Sequence, residues 1–97
     1  MIKVEEIIDN YDNSICYYIE GTLTLHREDG PALIDDTSTE WFFNGNLNRE
    51  DGPAVIYREG YVEWWLNGKR YTKEEWFKTL TDEQKKEVLY SEYFIGG

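Results

Sequence analysis

Apolar and polar residues alternate along several short stretches of this chain, each bounded by turn-forming residues. Tyr61-Val62-Glu63-Trp64-Trp65-Leu66 has the period of two that sends successive side chains to opposite faces of a sheet. Pro53-Ala54-Val55-Ile56-Tyr57 before it is apolar and partly β-branched, and Arg58-Glu59-Gly60 between them predicts a hairpin turn. Asn67-Gly68 predicts a second turn, because both residues tolerate positive φ. One unit earlier the plan repeats: Pro31 to Asp35, a turn through Asp36-Thr37-Ser38, a strand from Thr39 to Phe43, then Asn44-Gly45. A first hairpin is expected to pair Ile2 to Ile8 with Ile15 to Ile19 around Asp9 to Ser14. The alternation puts Trp41, Phe43, Val62, Trp64 and Leu66 on one side as core candidates. Glu40, Phe42, Asn44, Tyr61, Glu63 and Trp65 fall on the other, where Phe42, Tyr61 and Trp65 are expected as exposed aromatics on a polar background.

Beyond Gly68 the period changes. Thr72-Lys73-Glu74-Glu75 and Thr81-Asp82-Glu83-Gln84 are capping boxes, and they predict helices from Lys73 to Leu80 and from Asp82 to Tyr93. Trp76, Phe77 and Leu80 share one face of the first helix; Val88, Leu89 and Tyr93 form a stripe on the second. Such helices are placed to cover the last open face of a stack of hairpins.

The chain also aligns with itself. LHREDGPALI, beginning at Leu25, returns as LNREDGPAVI, beginning at Leu47, and EWFFNG at Glu40 returns as EWWLNG at Glu63. CYYIEG at Cys16 is a degenerate earlier copy. Self-similarity at such a period marks an architecture in which each unit buries its apolar face only by stacking on its neighbours. The expected molecule is mainly β, α+β overall: tandem β-hairpin repeats in one twisted antiparallel sheet, closed by two short C-terminal helices. It forms a single domain over 1–97, with an N-terminal hairpin (1–21), hairpin repeats (22–71) and a helical cap (72–95).

W-x-x-N-G followed by H/N-R-E-D-G-P-A resembles the variant form of the MORN repeat (membrane occupation and recognition nexus) found in bacterial and bacteriophage proteins. The resemblance covers about Tyr17 to Tyr71. It implies a rod-like stack of hairpins serving as an interaction platform, with no catalytic machinery inherent to the repeat. The link of some MORN proteins to phosphoinositides does not carry over, since the basic surface that anionic lipids require is missing. The bacteriophage setting of many variant repeats points instead to small acidic inhibitors of host defence nucleases, anti-CRISPR proteins among them.

Charge narrows the choice further. Ten Lys and Arg against twenty Asp and Glu give a formal charge of -10 over 97 residues, which repels phosphate backbones and anionic headgroups and attracts basic proteins. Direct binding to nucleic acid or membrane is therefore not expected. Cys16 is the sole cysteine, so no intramolecular disulfide forms, and the first residues lack a secretory apolar run. A cytoplasmic protein is expected, in the host cytoplasm if phage-encoded.

The candidate chemistry is sparse. His26 is the only histidine, and the second copy has Asn48 in its place, which favours a hydrogen-bonding role over proton transfer. Arg27, Asp29, Gly30 and Pro31, with Arg49, Asp51, Gly52 and Pro53, read as a repeated ligand site or a repeated turn. In the turn reading Asp bonds the backbone, Gly supplies a special φ and Arg pairs with a carboxylate. Asp9 to Ser14 and Asp35 to Thr39 are oxygen-rich but lack EF-hand spacing. No catalytic residue, metal site or cofactor is expected. Glu28, Asp29, Asp35, Asp36, Glu50, Asp51 and Glu59 fall at predicted turns, so the repeat should align them in rows along the edges of the stack. With Phe42, Tyr61 and Trp65 they are the expected partner-binding residues. The expected function is non-enzymatic binding, by a monomer or weak homo-oligomer, to a basic nucleic-acid-handling protein or defence complex. The alternative is an assembly module that self-associates or scaffolds other proteins.

Overall fold

The computed structural model describes residues 2–94; Ile95, the last residue of the expected cap, lies outside them. The first hairpin joins β1 (Val4–Ile8) to β2 (Ile15–Ile19), with Val4 opposite Ile19 and Ile8 opposite Ile15. The next pairs β3 (Leu33–Ile34) with β4 (Ser38–Glu40), and the third pairs β7 (Val55–Tyr57) with β8 (Val62–Leu66). β9 (Lys69–Tyr71) follows the Asn67-Gly68 turn, completing a seven-stranded antiparallel sheet in the order β1-β2-β3-β4-β7-β8-β9. Asn44 and Asn67 take φ of 49° and 51°, and Gly45 and Gly68 take 81° and 79°. These left-handed pairs are what the Asn-Gly dipeptides predict.

The expected strand from Thr39 to Phe43 divides. β4 ends at Glu40, and after Trp41 the chain forms β5 (Phe42–Phe43), which pairs with β6 (Asn46–Leu47) in a separate two-stranded ladder. The sheet is thus accompanied by a small local hairpin, because the Asn44-Gly45 turn folds Phe42 and Phe43 onto Leu47 and Asn46 and away from β7.

Internal repetition extends to the backbone bonds. The amide of Tyr17 donates to the Ala32 carbonyl and that of Trp41 to Ala54, both at 2.8 Å. The amide of Gly45 donates to Leu25 (2.8 Å) and that of Gly68 to Leu47 (2.9 Å), so each turn rests on the unit before it. At the first turn, Gly21 donates instead to the Glu5 carboxylate at 3.0 Å. β1 thereby supplies a side-chain oxygen where a preceding unit would supply a carbonyl. The described residues span 39 × 31 × 21 Å, a slab rather than the rod implied by the MORN resemblance, because the units are few.

At the other end sit α1 (Lys73–Thr79) and α2 (Asp82–Leu89), each opened by the expected capping box. Trp76, Leu80 and Val88 are buried with Trp64, and Trp76 meets Trp64 with ring centroids 4.6 Å apart. α2 stops at Leu89, short of the expected Tyr93. Past Tyr90 the chain turns back, and both Tyr93 and Phe94 pack on Trp64 at 6.0 Å. Leu89 consequently leaves the expected apolar stripe and is exposed. Of the core candidates, Trp64 is buried, Val62 and Leu66 pack against it, and Trp41 is half-buried. Phe43 is not part of the core: the separate β5–β6 hairpin leaves it exposed, with one side of its ring against His26 at 4.6 Å between centroids.

Candidate functional site

Each Arg-Glu-Asp-Gly-Pro-Ala segment folds around its own arginine. Arg27 Nε donates to Asp29 at 3.1 Å and its Nη1 to the Pro31 carbonyl at 3.1 Å; Arg49 does the same with Asp51 (2.8 Å) and Pro53 (3.0 Å). The guanidinium carbon then lies over an aromatic ring of the preceding unit, Arg27 over Tyr17 at 4.0 Å and Arg49 over Trp41 at 3.9 Å. Partly desolvated contacts of this kind contribute about 1–2 kcal/mol each. The sequence-based roles of Asp and Gly need correction. Asp29 and Asp51 hold the arginine and not the backbone. Gly30 and Gly52 do not adopt positive φ; a Cβ there would stand 3.0 and 2.8 Å from the Arg27 and Arg49 Cζ atoms. Glycine is needed for the close approach of the guanidinium. In the last unit Trp76 covers Trp64 as Arg27 and Arg49 cover the earlier rings, and its Nε1 donates to the Arg49 carbonyl at 2.9 Å.

His26 and Asn48 do the same job. The Asn44 amide donates to His26 Nδ1, and the Asn67 amide to Asn48 Oδ1, both at 2.9 Å. Each residue satisfies the left-handed turn of the following unit. With Nδ1 accepting, the neutral imidazole carries its proton on Nε2, a fully buried atom with no hydrogen-bond partner. Glu28 Oε1 stands 3.9 Å from it, beyond hydrogen-bond reach.

The structure divides the predicted acidic residues between two places. Glu28, Asp29, Glu50 and Asp51 line one groove of about 710 Å³ between the two loops. Trp41 and Phe43 also line it, as does Glu87 of α2. The Gln84 amide reaches the Glu50 carboxylate there. Asp35 and Asp36 lie at the hairpin tips, beside a second groove with Tyr57 and Arg58. Glu59 belongs to the neighbouring tip, which bonds across through the Arg58 amide to the Thr37 carbonyl at 2.9 Å. Asp35 accepts from the Thr37 amide and hydroxyl, both at 2.8 Å, and from the Ser38 amide at 2.9 Å. Those bonds, led by the Thr37 amide, hold its carboxyl below the ordinary aspartate range.

The aromatic candidates fare unequally. Tyr61 is exposed at 72%, but Phe42 and Trp65 are half-buried. Trp65 Nε1 donates to Glu63 at 2.8 Å, and the same carboxylate accepts from the Tyr57 hydroxyl at 2.9 Å, which raises the Tyr57 phenol above its usual value. Sequence reasoning missed Glu87, Trp41 and Phe43 as groove residues. Helical periodicity marks Glu87 as polar without saying what α2 packs beside, and Phe43 reaches the groove only because the strand breaks after Glu40. Cys16 is half-buried on β2. Among the described residues no group of three or more His, Cys, Asp or Glu could hold a metal ion. No helix among them is long and apolar enough to cross a membrane. No protein-family model, curated protein or solved structure matches the chain.

Proposed function

We propose that this chain is a non-enzymatic protein-binding module of the variant MORN type, whose acidic edges engage a basic, nucleic-acid-handling partner. Its concrete form is a phage-type inhibitor of a host defence complex, anti-CRISPR-like, acting in the host cytoplasm. The observation that carries this reading is preorganised charge. Asp29, Asp51 and Asp35 are each held by hydrogen bonds within their own loop, and Glu28, Asp36, Glu50 and Glu59 stand exposed beside them. Carboxylates already fixed by their own loops lose little side-chain entropy on meeting a basic surface. Tyr61 beside Glu59 adds an exposed aromatic of the kind that anchors interfaces. The test is capture of partners from the host cell, followed by titration of the captured protein across a salt series. Affinity that falls steeply with salt supports the reading, and salt-independent binding removes its charge-based part.

One observation favours assembly as the second reading. β1 is an edge strand, and Ile7 and Ile8 on it are 45% and 52% exposed. Sedimentation over a concentration series separates the two: concentration-dependent growth in mass supports assembly, and a constant monomer mass removes it.

A further inference from the structure

We propose that the groove between the two Arg-Glu-Asp-Gly-Pro-Ala loops is the seat of a basic peptide segment of the partner. A Lys or Arg side chain would lie against Glu28 and Glu50, and a backbone carbonyl would accept from His26 Nε2. This inference rests on the protein-binding reading above and assigns it a place and a ligand chemistry.

Two independent features of the groove point the same way. The first is its charge: five carboxylates, with Glu87 the fifth, face two guanidiniums, a surplus of three. Both guanidiniums are already engaged by Asp29, Asp51 and the proline carbonyls, so the field left over for a ligand comes from Glu28, Glu50 and Glu87. The second is the orphaned donor. His26 is wholly buried and does not itself line the groove, but its Nε2–H has no partner and two residues beside its ring do line it: Glu28, with Oε1 3.9 Å from Nε2, and Phe43, with the two ring centroids 4.6 Å apart. Nε2 therefore lies behind the part of the wall that Glu28 forms, where leaving its proton unbonded is unfavourable. The second unit repeats the arrangement. Asn48 lines the same groove, and with its Oδ1 engaged by Asn67 it offers its Nδ2 donors.

A ligand matching this site needs a cation for the carboxylates and hydrogen-bond acceptors for His26 and Asn48. A metal ion fails, because Nε2 carries the proton and has no lone pair to give. A polyamine supplies the cation without the acceptor, and a phosphate supplies acceptors against a surplus of negative charge. A peptide with Lys or Arg supplies both. Glu28 is the gate: once its carboxylate swings to the incoming cation, the way to Nε2 is open.

The probe is a capped Gly-Lys-Gly-Lys-Gly peptide, titrated at low salt into the isotope-labelled full chain and followed by NMR, with spermidine as a carbonyl-free control. Amide shifts confined to Arg27–Pro31, Trp41–Phe43 and Arg49–Pro53, with a downfield move of the His26 Nε2 proton that spermidine does not produce, support the proposal. Glu28→Gln and Glu50→Gln should each weaken the peptide about three- to fivefold, while Glu74→Gln on α1 leaves it unchanged. His26→Asn keeps the acceptor for Asn44 and, like Asn48, an Nδ2 donor, so it should leave the peptide's affinity within about twofold, whereas His26→Leu, which has no donor, should weaken it about threefold, as expected for one lost hydrogen bond. Equal weakening by Asp36→Asn with Glu59→Gln, or shifts centred on the hairpin tips, overturns the groove and leaves the acidic-partner reading standing. Absence of any peptide shift at low salt also overturns it. A salt-independent captured partner sinks the acidic-partner reading itself, whatever the peptide does.

Discussion

Among the described glycines, Gly52 leaves the least room for a Cβ, because the Arg49 guanidinium lies against it. The Cβ of an alanine at position 52 would stand 2.8 Å from the guanidinium carbon, so the guanidinium must shift and its contacts with Trp41 and Asp51 are strained. Gly52→Ala should cost about 1–3 kcal/mol in chemical denaturation. Gly30→Ala, at 3.0 Å, should cost less. The coupling is the sharper measurement: in an Arg49→Ala background the Gly52→Ala penalty should largely vanish, because the clash has lost one partner. His26 yields a second prediction. His26→Asn keeps an acceptor for the Asn44 amide and trades the orphaned Nε2–H for an amide donor as at Asn48, so its stability should change by less than about 1 kcal/mol. His26→Leu strands that amide and should cost about 1–3 kcal/mol. Comparison of His26 with Asn48 made the hydrogen-bonding role legible in the sequence. The reason for glycine at 30 and 52 was not legible, since it depends on an arginine folding back and on a ring from the preceding unit.

Hairpin tips and helix caps are the elements whose local sequence does most of the work. Asp35 closes its tip by accepting from Thr37 and Ser38, and its folded carboxyl titrates below the ordinary value. Because the folded value is depressed, the contribution is complete above the unfolded value, about pH 4, and is lost as pH falls through the folded one. An NMR titration should show Asp35 holding its charge to lower pH than an unstructured aspartate, with the Thr37 and Ser38 amides shifting as it protonates. Both capping boxes were readable, because Thr72 with Glu75 and Thr81 with Gln84 act within one turn. The end of α2 was not. Leu89 continues the helical period, but Tyr93 and Phe94 gain more by turning back onto Trp64 than by extending the helix. Trp76 joins that cluster to the last repeat. Trp76→Phe should cost about 1–2 kcal/mol through the lost bond to the Arg49 carbonyl and lost area. Trp76→Ala should cost about 3–5 kcal/mol, with hydrogen-exchange protection falling first in β8 and β9.

Across the whole molecule, both ends of the stack are closed by groups standing in for a missing unit. Glu5 takes the Gly21 amide at one end, and Trp76 covers Trp64 at the other. A chain cut after Tyr71 loses the second closure and exposes Trp64 on an otherwise flat sheet end. It should self-associate more strongly than the full chain in sedimentation runs at equal concentration. The acidic groove likewise belongs to this scale. Glu28 and Glu50 come from loops a repeat apart, and Glu87 comes from a helix far along the chain; they share one groove only because the units stack in register with α2 beside them.

Turns, hairpin pairings, helix starts and the repeat itself were determined by sequence alone, because each depends on residues a few positions apart or on a direct comparison of one copy with the next. Asn-Gly sets its own φ, and a threonine hydroxyl reaches its own helix. The guanidinium contacts with the rings, the break after Glu40, the orphaned proton of His26 and the groove beside it were decided only by tertiary structure. Each of these depends on which surfaces end up within about 4 Å of each other, a distance that no local pattern encodes.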